Sequence, residues 1–72
     1  METALLSLGN AIRARREQGG ESQEAFADRI GMHRAYYSAI ERGRKNLTLT
    51  TLMRVLDGLG CTLAQVSKEA RV

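Results

Sequence analysis

The sequence predicts an all-α protein, a compact bundle of five short helices in a single domain. Apolar residues recur every three or four positions along most of the chain, which is the period of an amphipathic helix. Glycine, serine and threonine interrupt this pattern at intervals that suit helix ends and helix starts. No stretch shows the apolar–polar alternation of a half-buried strand. Because 72 residues can build only one small core, we expect residues 1–72 to form one domain.

The first helix is predicted from about Ala4 to Gln18. Its core face consists of three apolar residues at helical spacing, Leu5, Leu8 and Ile12. Gly19 and Gly20 follow directly, and glycine readily adopts the left-handed backbone that commonly ends a helix. We therefore expect the helix to stop there.

Two shorter helices are predicted next, over Gln23–Ile30 and about His33–Arg42. Ser22 is a good N-cap for the first of them, because its hydroxyl can accept a hydrogen bond from a backbone amide. Gly31 then ends that helix. The residues expected to face the core are Phe26, Ile30, Tyr37 and Ile40, with Met32 under the turn.

A fourth helix is predicted to begin after Thr48 and to end at Gly60. It carries the strongest apolar stripe in the sequence, formed by Leu49, Leu52, Val55, Leu56 and Leu59. Thr62 and Gln65 then match a capping box, in which each side chain accepts a hydrogen bond from the other's backbone amide. This pair predicts a fifth helix with Leu63 and Val66 on one side.

Residues 23–42 have the spacing of a helix-turn-helix, the unit that can place its second helix in a DNA groove. Ala27 supplies a small residue, Gly31 the turn, and Tyr37 and Ile40 two buried apolar groups. At about 100° per residue, the opposite face of the third helix carries Ala35, Ser38, Ala39 and Arg42, flanked by Arg34 and Tyr36. This face has small residues where close approach is needed and long polar ones at its margins.

The basic excess of the chain is concentrated in one segment. Residues 29–45 hold five cations and one acid, a net charge of +4, whereas the other residues hold six cations and seven acids, a net charge of −1. Such a stretch is either a solvated charged surface or the footprint of a polyanion-binding face. Its overlap with the helix-turn-helix favours double-stranded DNA as the partner.

The composition argues against several other classes of protein. The single Cys61 cannot form an internal disulfide, so a reducing cytoplasm is the expected location. One histidine and one cysteine give no metal-ligand cluster, and the sequence shows no cofactor or small-molecule site. The N-terminal segment lacks a secretory signal and is too short and interrupted to span a membrane. The sequence contains no recognisable nucleophile–base pair and no paired-carboxylate site, so it does not indicate an enzyme.

The sequence resembles the Xre/Cro-like helix-turn-helix regulators, a family that includes lambdoid phage repressors. The similarity covers about residues 8–66, and an ordered combination carries it: Leu8-Gly9, Ile12-Arg13, Arg16, Ser22-Gln23-Glu24, Phe26-Ala27, Ile30-Gly31, Ser38, Ile40-Glu41-Arg42-Gly43, Asn46-Leu47-Thr48-Leu49, Leu52 and Leu59-Gly60. Within the family, residues 33–52 most resemble the controller proteins of restriction–modification systems. The resemblance implies a transcription regulator that binds a palindromic operator as a homodimer.

The resemblance also implies roles for individual residues. Gln23 would hydrogen-bond a phosphate and brace the third helix, while Arg16 and Glu41 would pair the first helix with the third. The residues implied in the major groove are His33, Arg34, Ala35, Tyr36, Ser38 and Ala39. Those implied on the adjoining backbone are Arg42, Arg44, Lys45 and Asn46. Dimerisation would involve residues 49–70, with contacts from Leu63, Val66 and the outer face of the fourth helix.

The chain departs from the family pattern at four positions. Tyr37 stands where a β-branched residue or leucine is usual, so either the third helix lies further out or the hydroxyl finds a partner. Arg15 and Glu21 replace commonly apolar residues. His33 is a weaker N-cap than serine, threonine or aspartate.

Some assignments leave two alternatives open. Arg34 can donate two hydrogen bonds to a guanine or can bind a phosphate instead. Tyr36 can pack on a thymine methyl or a sugar, or can be a partly exposed aromatic. For Arg44 and Lys45, phosphate contacts are favoured, because flexible loops position rather than specify. At the level of function, the rival is the antitoxin of a toxin–antitoxin pair with autoregulatory DNA binding.

Overall fold

The structure, a computed structural model, describes residues 2–72 and confirms the all-α architecture. The described residues form five helices: α1 (Glu2–Gln18), α2 (Gln23–Arg29), α3 (Arg34–Glu41), α4 (Leu49–Leu59) and α5 (Leu63–Ala70). The predicted helix ends differ from these bounds by one or two residues, a normal uncertainty for helix termini. None of the helices in this range has the length and hydrophobicity needed to cross a membrane.

Side-chain caps begin three of the helices at the predicted residues. The Ser22 hydroxyl accepts a hydrogen bond from the Ala25 amide at 3.0 Å, and Thr48 caps α4 in the same way. Thr62 and Gln65 form the reciprocal capping box of α5. His33 occupies the N-cap of α3 but makes no side-chain hydrogen bond to that helix. The imidazole therefore does not contribute to starting α3.

The core lies between the helices, and its largest fully buried side chains are Ile12, Phe26, Tyr37, Ile40, Val55, Leu56 and Val66. The rings of Phe26 and Tyr37 lie 5.0 Å apart in a tilted arrangement that aromatic pairs favour. Leu49, the first residue of the predicted apolar stripe of α4, lies outside the core, since it is 64% exposed. At about 100° per residue, it lies at the edge of the stripe centred on Leu52 and Val55.

A close helix contact at Gly9 sets how α1 crosses the end of α3. A Cβ atom at Gly9 would lie 2.7 Å from the carbonyl oxygen of Ile40 and would also clash with that of Glu41. Only glycine lets the two backbones approach this closely. The position of the last turn of α3 therefore depends on a missing side chain in α1.

We expect Gly9→Ala to lower the free energy of unfolding by about 1–3 kcal/mol, the usual cost of overpacking. The added methyl group meets backbone atoms, which cannot rotate away as a side chain can. Urea denaturation followed by circular dichroism measures the change. Asn10→Ala is the matched control, because Asn10 is exposed on the same helix and alanine favours helices. Equal stabilities of the two variants would contradict the close contact.

Candidate nucleic-acid interface

A glycine turn joins α2 to α3. Gly31 has a φ angle of 68°, a left-handed conformation that costs glycine no steric energy. The amide of Met32 donates to the carbonyl oxygen of Ala27 at 2.8 Å, and both residues are buried. Gly31 itself is exposed, but this hydrogen bond anchors the turn to buried residues on both sides, and α3 packs directly against α2.

The exposed side of α3 is the surface that the sequence predicts for DNA. Tyr37 and Ile40 are buried on the other side. One shallow surface is lined by His33, Arg34, Ala35, Ser38 and Arg42. The guanidinium of Arg42 donates to the Ser38 hydroxyl at 2.7 Å, one helical turn away. The structure therefore brings five of the predicted residues together.

Ala39 is not part of this surface, contrary to the sequence-based prediction. Only 8% of the residue is exposed, so its methyl group offers almost no area to a DNA groove. The chain folds back after α3 at this point, and the Arg44 amide donates to the carbonyl oxygen of Ala39 at 2.9 Å. The exposed face of α3 is therefore narrower than the helical periodicity predicts.

The loop after α3 extends the basic surface. Gly43 has a φ angle of 70°, and a Cβ atom there would lie 2.7 Å from the Cα of Leu6. Glycine thus lets the start of the loop pack directly on α1. Beyond it, three polar residues are exposed: Arg44, Lys45 and Asn46.

Lys45 and Tyr36, both predicted to contact DNA, contact each other. The ammonium nitrogen of Lys45 lies 5.2 Å from the centre of the Tyr36 ring, within the range of a cation–π interaction. Tyr36 is half-buried and packs against the core. This contact could not be predicted from the sequence, because it joins residues of a helix and a loop that are nine positions apart and depends on the path of the loop.

Ion pairing divides the basic residues into two groups. Four arginines outside α3 and its loop each pair with a carboxylate: Arg13 with Glu17, Arg15 with Glu69, Arg16 with Glu41 and Arg29 with Glu21. Within residues 2–72, no ion pair involves Arg34, Arg42, Arg44 or Lys45. The uncompensated positive charge around the helix-turn-helix therefore lies on α3 and its loop, where an anionic backbone would neutralise it.

Arg29, one of the five cations of residues 29–45, is neutralised by Glu21, which lies outside that segment. Its guanidinium binds both carboxylate oxygens of Glu21 at 2.6–3.2 Å and donates to the Gly58 carbonyl oxygen at 2.8 Å. The hydrogen bonds from Arg29 hold the pKa of Glu21 below its usual value. Glu21 and Arg15, which replace usually apolar residues, therefore both form surface ion pairs, and Arg29 does not belong to the basic face.

Behind the basic face, a buried carboxylate ties α1, α2 and α3 together. Arg16 donates from Nε to one oxygen of Glu41 at 2.6 Å and from Nη2 to the other at 3.1 Å. The Gln23 amide donates to Glu41 Oε1 at 2.9 Å, and the Tyr37 hydroxyl donates to Oε2. Of the two alternatives for Tyr37, the structure shows a hydroxyl with a partner.

This network keeps Glu41 ionised inside the protein. Burial alone raises the pKa of a carboxyl group, but the hydrogen bonds from Arg16, Tyr37 and Gln23 outweigh it and lower the pKa of Glu41. Burial first, and the Glu41 carboxylate second, raise the pKa of Tyr37. The phenol therefore keeps its proton and donates a hydrogen bond to the ionised carboxylate.

The described residues outside this network form no metal site. No group of three or more His, Cys, Asp or Glu side chains in residues 2–72 is placed to hold a metal ion. Cys61 is half-buried, and burial raises the pKa of its thiol, which makes the reactive thiolate scarcer. The features that characterise the candidate interface are therefore the exposed surface of α3 and the positive charge of α3 and its loop.

A second surface feature, which we call the α4 patch, consists of Leu49, Met53, Arg54 and Asp57. These residues line one groove, in which Leu49 and Met53 are 64% and 39% exposed. Neither Arg54 nor Asp57 has an ion-pair partner among the described residues. Because Leu49 and Met53 are four residues apart, they lie on the same face of α4, and this could have been predicted from the sequence.

The two predicted dimer contacts of α5 have different environments. Leu63 is 40% exposed at the start of α5. Val66 is fully buried within the core of its own protomer, so the prediction that it contacts a partner is wrong. α5 packs against α1 and contributes Val66 to the core, and this packing could not be inferred from residue spacing.

Comparisons with known proteins agree with this architecture. A helix-turn-helix family model matches residues 12–66. The chain is 39% identical over 70 residues to the control protein C.MunI of a Mycoplasma species, across 96% of this chain and 95% of that protein. It is 38% identical over 52 residues to the antitoxin HipB of Escherichia coli K12, across 72% of this chain and 59% of HipB.

A solved structure extends the comparison to a DNA complex. The restriction–modification controller protein C.Esp1396I, solved as a tetramer with its natural 35 base-pair operator, superposes with a TM-score of 0.82. The identity is 29%, and 96% of each chain is covered. Fold and site together define a DNA-binding transcription regulator. The chain belongs to the Xre/Cro-like helix-turn-helix family.

Proposed function

We propose that this protein is the controller of a restriction–modification system and binds a palindromic operator as a homodimer. The observation that carries the proposal is the set of cations without ion-pair partners among the described residues, which lie on the second helix of the helix-turn-helix and on the loop that follows it. The similarity to C.MunI over nearly the full length of both chains supports the controller assignment. The operator complex of C.Esp1396I supports operator DNA as the ligand.

In this proposal, α3 lies in the major groove and the loop after it follows the phosphate backbone. Arg34 donates to guanine, since a guanidinium matches the two acceptors on the major-groove edge of that base. Tyr36 and Ser38 contact neighbouring bases, and His33 and Ala35 line the same surface as Ser38. Arg42, Arg44, Lys45 and Asn46 bind phosphates. Gln23 also binds a phosphate, with the amide hydrogen that is not donated to Glu41.

A homodimer supplies the specificity that one short helix lacks. One recognition helix contacts only a few base pairs, and a second copy about 34 Å away would read the other half of a palindrome. The α4 patch offers apolar area beside Arg54 and Asp57, which have no ion-pair partner within residues 2–72, so two copies related by a twofold axis can exchange Arg54–Asp57 pairs. Leu63 adds an exposed apolar residue on α5.

The double variant Leu49→Gln/Met53→Gln is expected to raise the dissociation constant of the dimer at least about tenfold, because each removed apolar contact is worth about 1 kcal/mol or more. Sedimentation equilibrium measures this constant without DNA. Leu6→Gln is the control, since Leu6 is also exposed, at 49%, but lies on α1. A wild-type monomer at micromolar concentration, with or without DNA, would contradict the homodimer.

The proposed function is tested by selecting bound sequences from a random DNA pool at a defined salt concentration. A palindromic consensus with half-sites about one helical turn apart is expected. Recovery of unrelated sequences would overturn the assignment as a sequence-specific regulator.

The antitoxin alternative rests on the similarity to HipB. This chain spans 59% of that protein, so the match leaves a large part of HipB without a counterpart. An antitoxin must also bind a toxin, which would copurify with this chain when the adjacent gene is coexpressed. A stable complex with that gene product would favour the alternative over a controller.

A further inference from the structure

The contact between Lys45 and Tyr36 distinguishes Lys45 from the other cations of the basic face. Its ammonium lies over the Tyr36 ring at 5.2 Å. Arg44 is adjacent and also exposed, and it has neither an ion pair nor a cation–π contact within residues 2–72. Two neighbouring loop cations thus have different surroundings, although the sequence assigns both to phosphates.

The backbone holds Lys45 in this position. The loop begins at Gly43, which packs on α1, and the Arg44 amide is tied to the carbonyl oxygen of Ala39 in α3. Lys45 therefore follows a segment anchored at both α1 and α3. A lysine on a free loop would lose more conformational entropy in covering a ring than one presented by an anchored backbone.

The half-buried ring of Tyr36 is the group that this contact constrains. Tyr36 packs against the core, while the Lys45 ammonium lies over its ring. Both contacts oppose a change of rotamer, because each would be lost if the ring turned away. The ammonium has three N–H donors and retains donors for a phosphate oxygen while its charge faces the ring.

We propose that Lys45 is a positioning residue for Tyr36 and so contributes to sequence selectivity as well as to affinity. This inference rests on the proposed function, in which Tyr36 contacts bases. Lys45 fixes the direction in which Tyr36 presents its ring edge and hydroxyl to the groove, before DNA binds. Arg44 contributes to affinity alone.

A double-mutant cycle tests the proposal, with Lys45→Met compared with Arg44→Met in the wild-type and Tyr36→Leu backgrounds. Methionine keeps the apolar stem and removes the charge. Binding is measured on the selected operator and on operators with one changed base pair, over a range of salt concentrations. Circular dichroism melting shows that each variant is folded.

Both methionine variants are expected to reduce the salt slope by about one for each protomer bound. Only Lys45→Met should also reduce discrimination between the operator and its single-base variants, by about two- to fivefold, the range that an exposed cation–π contact supports. In the Tyr36→Leu background this extra loss should disappear. Lys45→Arg should restore discrimination, because a guanidinium also stacks on an aromatic ring.

The outcomes separate this inference from the proposed function. Equal discrimination by Lys45→Met and Arg44→Met, or additive effects with Tyr36→Leu, would overturn the positioning role while the operator assignment stands. A wild-type chain without sequence preference would overturn the proposed function and the inference with it. A second readout needs no DNA: the NMR signals of the Tyr36 ring should shift in Lys45→Met and remain unchanged in Arg44→Met.

Discussion

Glu41→Ala is expected to lower the free energy of unfolding by about 3–5 kcal/mol, which is the usual cost of removing one partner from a buried ion pair. The Glu41 and Arg16 side chains are 2% and 9% exposed, so water cannot replace the lost carboxylate. The variant also leaves the Tyr37 hydroxyl and the Gln23 amide without their acceptor. Since small domains are typically stable by about 5–15 kcal/mol, this loss is a large part of the total.

Chemical denaturation of Glu41→Ala and of a matched control measures this effect. The control is Glu17→Ala, because Glu17 also pairs with an arginine, Arg13, at 3.2 Å. In this pair the arginine side chain is 60% exposed and the glutamate side chain is 54% exposed. Exposed pairs of this kind contribute about 0.3–0.5 kcal/mol. If the two variants lose the same stability, the buried network does not hold the first three helices together.

Arg34→Ala is expected to leave the melting temperature nearly unchanged and to abolish specific operator binding. Arg34 is exposed and forms no ion pair within the described residues, so its removal costs the fold little. A bidentate contact with guanine is worth about 1–3 kcal/mol of discrimination, and a dimer makes it twice. The preference for operator over random DNA should therefore fall by one to several orders of magnitude.

Arg34→Lys separates the two roles left open for this residue. Lysine keeps the charge for a phosphate but cannot make the paired, planar contact that a guanidinium makes with guanine. Affinity and discrimination are measured by competition with random DNA at fixed salt. Loss of discrimination in Arg34→Lys supports base recognition. A uniform loss of affinity for all sequences in Arg34→Ala, with discrimination intact, would assign Arg34 to a phosphate.

Helices, caps and turns of this protein could be predicted from its sequence, because they depend on interactions within about four residues. Ser22, Thr48 and the Thr62–Gln65 pair cap helices where their local patterns predict. Gly31 ends the segment before α3 for the same local reason. The ordered motif also identified the family, since a helix-turn-helix is defined by spacing along the chain.

The tertiary structure decided which of the predicted site residues are accessible and which charges are free. Ala39 and Val66 are buried and Leu49 is exposed, because the width of a buried helix face depends on what packs against it. Glu21 neutralises Arg29, a pairing of residues eight apart that no helix-period rule predicts. The contact of Lys45 with Tyr36 likewise depends on the path of the loop after Gly43.

The sequence by itself thus determined the all-α architecture, the helix-turn-helix and the basic segment. Only the tertiary structure reduced that segment to the free cations of α3 and its loop, joined Glu41 to three donors, and placed Lys45 on Tyr36. The physical reason is the separation along the chain of the residues that interact. Secondary structure follows from neighbours along the chain, whereas burial, ion pairing and ring contacts depend on residues that meet only when the helices pack.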